Sequence, residues 1–151
     1  MTRRLSDEPP AFLTRQPPAW VAGYIGLPFK PRGRDRDGLD CWGLKRLVYE
    51  EQYGIALPAY VGGYEGTSRA DATDIARLIA GGKPAWQAVP EGAERLGDGI
   101  ELRAGGVPHV GIVVAAGWML HIVEGIESAI ERYDGPKWKP LGFYRWRGDD
   151  A

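Results

Sequence analysis

The sequence predicts an α+β fold, with helices placed mostly before an antiparallel sheet of about five to six strands. Three observations point there. Cys41, Leu44 and Val48 recur at three and four residues, with Leu47 widening the stripe, which is a helical period. His109–Ala115 and Trp118–Glu124 are β-branched, apolar runs of strand length joined by a short turn. Further strand-length runs follow one another with short connections, the pattern of an antiparallel sheet. A chain of 151 residues with 44% apolar residues is one domain with room for a core.

Residues 1–18 read as an irregular N-terminal arm, punctuated by Pro9-Pro10 and Pro17-Pro18. The remainder, 19–151, reads as a single domain without repeats or linkers. Trp20–Ile25 is expected as a short helix against the core. Gly26–Gly38 is a charged, glycine-bearing loop. In it Arg32, Arg34 and Arg36 alternate with Asp35 and Asp37 nearby. They either pair locally or offer a planar guanidinium, that of Arg34, to a substrate carboxylate. Asp40 is a good N-cap, so the helix starts at Cys41, runs to about Tyr53 and stops at Gly54. Leu57–Thr67, rich in Gly and Tyr, forms a cleft wall or packs inward. Ser68 caps a second helix through Ile79, with Ile75, Leu78 and Ile79 on its apolar side and Gly81-Gly82 ending it.

The strands follow in order: Trp86–Val89, Asp98–Leu102, His109–Ala115, Trp118–Glu124, Ile126–Arg132 and Phe143–Trp146. Ala115-Ala116-Gly117 fits a three-residue hairpin loop with glycine at the left-handed position. The two histidines, His109 and His121, are the only ones in the chain. Side chains alternate along a strand, and these two are an even number of positions apart. With an odd-numbered loop between their strands, both imidazoles fall on one face.

Cys41 is the only cysteine. Read alone, it is either a small buried apolar residue or a nucleophile at a helix N-terminus. There the dipole and unpaired N–H groups would lower its pKa and hold an oxyanion. Two histidines on neighbouring strands favour the second reading, since a thiol, a base and an orienting group form a catalytic set. Zinc held by one Cys and two His is the competing arrangement, but no fourth donor stands at short spacing. Trp42 points about 100° away from Cys41 on the helix and is either a packing residue or a subsite wall. Trp118, Trp138 and Trp146 are too scattered to assign.

The segment Asp40-Cys41-Trp42-Gly43-Leu44, followed by His109-Val110-Gly111-Ile112 and then His121, resembles the NlpC-type cell-wall cysteine peptidases. Gly26-Leu27-Pro28-Phe29 and Leu57-Pro58 extend the resemblance, which covers the chain from about Trp20 to Trp146. It implies a papain-like fold with the nucleophile helix packed on the sheet. It implies Cys41 as nucleophile, His109 as base and His121 as the residue orienting that base. Asp40, Trp42, Phe29 and Arg34 would line the substrate site. Trp after the cysteine and the ending Leu141-Gly142-Phe143-Tyr144-Arg145-Trp146 look like the branch found in phage tails and gene transfer agents. The family commonly has tyrosine where Phe29 stands, so the hydroxyl that supports its oxyanion site is missing here. The implied substrate is the peptide stem of peptidoglycan, often at the bond between γ-D-glutamate and a diamino acid. The implied carrier is a phage-like tail tip or hub, docked through residues 1–18 and Phe143–Ala151. The alternative is a structural tail component with an idle cleft.

A formal net charge of −1 argues against nucleic acid as partner. A single cysteine forms no internal disulfide, and no apolar run reaches membrane-spanning length. Neither metal nor cofactor is expected. Arg3 and Arg4 are followed by no apolar segment, so the expectation is a protein made in the cytoplasm without a secretory signal, which acts in a recipient cell's periplasm or wall only if carried there.

Overall fold

The computed structural model describes residues 13–60 and 62–148. The expectations for residues 1–12 and for the last three residues lie outside the described residues. A 3-10 helix, Ala19–Tyr24, leads to a two-residue hairpin of β1 (Arg34–Asp35) and β2 (Gly38–Leu39) inside the predicted loop. Helix α1 spans Cys41–Tyr53. Asp40 caps it by accepting from the Gly43 N–H at 2.8 Å, and Gly54 ends it at φ 65°. These are the start and stop the sequence indicates. Gly43 is required by contact: a Cβ there would lie 2.0 Å from the Gly33 carbonyl oxygen, so the first turn of α1 sits directly on the entry loop.

Ser68 forms a capping box with Asp71 over a single 3-10 turn, Arg69–Asp71, before α2 (Ala72–Gly82) begins. The second helix therefore starts later and ends later than its periodicity suggests. A further 3-10 turn, Lys83–Ala85, leads into the sheet.

The strands are β3 (Trp86–Val89), β4 (Gly99–Ala104), β5 (Val107–Ala115), β6 (Trp118–His121), β7 (Ala129–Arg132) and β8 (Gly142–Trp146). They form one antiparallel sheet in the order β3-β8-β4-β5-β6-β7. The last strand in sequence thus enters the middle of the sheet. Asp98 and Arg145 pin it there, the guanidinium donating to both carboxylate oxygens at 2.9 and 2.6 Å, both side chains buried. This corrects the expectation of a docking tail for residues 143–146: Phe143 and Tyr144 pair with both β3 and β4, Arg145 and Trp146 pair with β3, and Phe143 and Trp146 are buried.

Leu44 and Val48 of α1 pack with Val21, Tyr24 and Leu39 against Ile112, Val114, Leu120 and Ile122 of the sheet. A separate cluster holds Ile100, Leu102, Val113, Met119, Tyr133 and Phe143. The β5–β6 turn is two residues rather than three, and a bulge between Val113 and Ala115 supplies the odd residue. Gly117 takes the left-handed position at φ 80°. Residues 13–18 carry no regular structure; the Thr14 carbonyl accepts from the Ala116 N–H at 2.8 Å.

Candidate active site

Cys41 is the first residue of α1 and is half-buried at a cavity of about 680 Å³. His109, Asp40, Phe29 and Trp42 line the same cavity. Residues 107–111 of β5 pair only with β4, because β6 ends at His121. The unpaired edge faces α1, and the backbone N–H of Val110 points at the Cys41 sulfur, as does that of Trp42.

The histidines meet. His109 Nε2 lies 2.8 Å from His121 Nδ1, and both rings are buried. Their shared face depends on the bulge. The pairs Ile112↔Leu120 and Val113↔Met119 precede it, and extending that register sets His109 two residues from the partner of His121. Without the shift the rings would lie on opposite faces.

The chain of contacts continues to a residue the sequence reading missed. His121 Nε2 lies 2.9 Å from Glu131 Oε1. The other carboxylate oxygen of Glu131 accepts from Lys137 Nζ at 2.9 Å and Trp138 Nε1 at 3.1 Å. The Trp138 ring stacks on His109 at a centroid distance of 5.7 Å and meets His121 edge-on at 5.3 Å. Burial alone would push the Glu131 carboxyl up. The Lys137, Trp138 and His121 donors outweigh it and hold the group down at about 2. An ionised Glu131 has one consequence for each ring. It accepts a hydrogen bond from His121 Nε2–H, so His121 Nδ1 is an acceptor. His109 therefore donates through Nε2 and keeps its lone pair on Nδ1. The relay leaves His109 neutral with Nδ1 unprotonated and free to accept, the protonation state a general base needs.

Burial pushes the Cys41 thiol up to about 12, the Asp40 carboxylate adds to that, and the Val110 and Trp42 N–H groups and Lys45 pull the other way without winning. This corrects the expectation of a lowered thiol pKa at the helix N-terminus. The dipole is present, but desolvation and an adjacent carboxylate outweigh it. His109 is held down at about 3, first by burial and then by His121. Burial also lowers His121. The resting pair is therefore thiol and neutral imidazole.

Asp40 is 1% exposed. Besides Gly43 it accepts from the Arg32 N–H at 3.0 Å, from Arg34 Nη1 at 2.8 Å and from the Tyr64 hydroxyl. Arg34 also donates to the carbonyls of Gly33 and Ala59 and to the Tyr64 oxygen. The guanidinium expected to meet a substrate carboxylate is instead committed to the loop that carries Cys41, and it does not line the cavity. Trp42 donates through Nε1 to the Pro58 carbonyl at 2.7 Å and packs its ring on Tyr60. Phe29 packs partly buried against the α1 core cluster. Among the described residues, no group of three or more His, Cys, Asp or Glu is placed to hold a metal. Nor is any helix long and apolar enough to cross a membrane.

Sequence signals for the missed residues existed. Glu131 alternates with Ala129 on β7, and Ala129 pairs with His121, so Glu131 shares its face. Lys45 stands four residues after Cys41, inside the apolar stripe of α1.

A family model described as the NlpC/P60 family matches residues 26–147. Among solved structures, the chain is similar to the NlpC/P60 domain of the peptidoglycan hydrolase SagA, at 22% identity and a TM-score of 0.54, covering 84% of this chain and 92% of that one. It is similar to an NlpC/P60 family protein from Bacillus cereus at 21% identity and a TM-score of 0.60, covering 88% of this chain but 42% of the longer protein. A P60 domain of an antigen from M. avium subspecies paratuberculosis matches at 20% identity and a TM-score of 0.54, covering 84% of this chain and 88% of that one. These likenesses show the papain-like arrangement of a helix packed on an antiparallel sheet. No curated protein matches the chain.

Proposed function

We propose that this chain, which belongs to the NlpC/P60 family, hydrolyses peptide-stem bonds of peptidoglycan through a Cys41–His109–His121 triad. Members of the family are cysteine peptidases, and the family supports a cell-wall peptidase function. The observation that carries the residue assignment is the His109–His121 contact of 2.8 Å beside a cavity that Cys41 also lines.

In this reading Cys41 Sγ attacks the scissile carbonyl while His109 Nδ1 takes the thiol proton. With both groups neutral at rest, transfer accompanies attack rather than preceding it. His109 returns the proton to the leaving amine, and a thioester to Cys41 remains. Water, deprotonated by His109, then attacks the thioester, releases the acid and restores the thiol. His121 holds the ring angle and tautomer of His109 throughout. Phe29 offers no hydroxyl, so oxyanion support falls to backbone N–H groups at the start of α1.

The finer substrate reading, the γ-D-glutamyl–diamino acid bond, rests on the family resemblance. So does carriage in a phage-like tail, with residues 1–18 as the docking segment and the recipient's wall as the place of action. Digestion of purified peptidoglycan by wild type and Cys41→Ala, with mass analysis of the fragments, tests the chemistry. Wild type should release stem fragments and the variant none; retained cleavage by Cys41→Ala sinks the cysteine mechanism. Absence of cleavage by wild type favours a structural component with an idle cleft. Carriage is tested by probing purified particles for the chain, and its presence only as free protein in the producing cell would end that reading.

A further inference from the structure

Lys45 is the one lysine of α1, and it is 4% exposed. Its ammonium meets aromatic faces, and the backbone of Gly99 lies beside it. Nζ lies 4.2 Å from the centre of the Trp86 ring, 5.8 Å from Trp42 and 5.9 Å from Tyr49. Among the described residues it forms no hydrogen bond or ion pair; Cys41, Asp98 and Glu101 act on it only through space. Lysine is rarely buried without a counterion, because the ammonium loses its hydration. Aromatic faces return part of that loss but leave three N–H donors unused.

The ammonium is not sealed in. Lys45 lines the cavity that holds Cys41, one helical turn along α1. Gly99 of β4 lines it too, and a Cβ there would lie 2.1 Å from Nζ. The ammonium thus occupies the room a side chain at position 99 would take. The cavity also carries Arg69 and Arg103; of its three carboxylates, Asp40 is matched by Arg34 and Glu101 by Lys83 at 3.5 Å, while Glu124 meets only the Thr67 hydroxyl, so cations without an ion pair outnumber it. Its uncompensated charge is positive. Burial lowers the Lys45 pKa to about 8, so at neutral pH the group is still mostly protonated.

We infer that Lys45 anchors a carboxylate of the bound peptide within the cavity, making it a specificity-determining residue for anionic substrates. The geometry is that of a donor set held ready by three rings and completed by the ligand. The inference rests on the peptidase reading for the ligand's being a peptide, and its test needs no cleavage.

The probes are iodoacetate and iodoacetamide, which alkylate Cys41 with and without a carboxylate. Near neutral pH the ratio of their rates should fall by about tenfold in Lys45→Met, the order expected for losing a nearby cation in a partly desolvated site. Lys45→Gln should lower it similarly. Met keeps the stem that packs on the rings, so a thermal midpoint at or above wild type shows that the fold is intact. A folded Lys45→Met or Lys45→Gln protein with the wild-type ratio overturns the inference. In the Cys41→Ala background, a stem peptide should bind better than its fully amidated form, and Lys45→Met should erase the difference. Equal binding of the two forms before that substitution also overturns it. A lowered ratio with no peptidoglycan cleavage by wild type would keep the Lys45 site and discard the peptidase reading. Cleavage with an unchanged ratio would do the reverse.

Discussion

Asp40 and Lys45 flank the same cysteine on the same helix, and both are buried charges, yet they are built in opposite ways. Asp40 receives two backbone N–H groups, a guanidinium and a phenol. Lys45 receives three aromatic faces and no acceptor. A saturated network of this kind fixes geometry: it joins the entry loop, the helix start and Tyr64 around the base of Cys41. An unsaturated charge facing a cavity has binding capacity left over. The histidine relay is intermediate. It is saturated at the Glu131 end and has one unprotonated nitrogen remaining at His109. The number of donors and acceptors left unused thus separates what holds the site together from what acts in it.

The comparison breaks most easily at its saturated end. Asp40→Ala removes the helix cap and leaves Arg34 buried beside an empty space. Breaking one partner of a buried pair costs about 3–5 kcal/mol, so the thermal midpoint should fall sharply. A loss within error of zero would show that the Asp40 network is not structural. His121→Ala should leave the fold nearly intact but lower turnover by about a hundredfold, since the base loses the group that sets its tautomer. His121→Asn should recover part of the loss, because an amide still accepts from His109. If Ala and Asn variants both work near the wild-type rate, His121 does not orient the base.

Glu131→Gln sharpens the comparison further. The amide oxygen still accepts from His121 Nε2, but the charge that polarises the relay is gone. Turnover should drop by about tenfold, and the acid side of the pH–rate profile should shift while binding of substrate stays similar. An unchanged profile would make Glu131 a packing residue. The smallest effect is expected from Phe29→Tyr. A hydroxyl that reaches the oxyanion raises turnover a few-fold. One left without a partner costs about 1–3 kcal/mol of stability and gains nothing kinetically. Steady-state kinetics and thermal melts on the one variant separate the two.

Much of the fold was legible locally. Asp40 and Gly54 mark the ends of α1, and the β-branched runs mark β5 and β6, because capping and side-chain alternation are properties of neighbours in sequence. The same is true of Cys41 at the first position of a helix. The protonation state there was not legible. A helix N-terminus favours the thiolate, but burial of the site and the charge of Asp40 outweigh it, and neither is visible before the chain is folded. Arg34 is the same lesson in reverse. Its chemistry suits a substrate carboxylate, but the fold supplies a carboxylate of its own at 2.8 Å.

By itself, then, the sequence determined the α+β class, the place of Cys41 at the start of a helix and the strands that carry both histidines, all through interactions spanning a few residues. The tertiary structure decided the rest. A bulge near Val114 turns two histidines onto one face, β7 brings Glu131 to the second ring, and β8 inserts beside β4 through the Asp98–Arg145 pair. It also closes Trp86 over Lys45, 41 positions away in sequence by the difference of their numbers. These outcomes depend on long-range register and on how far each charge is removed from water, and both quantities exist only once distant segments are packed together.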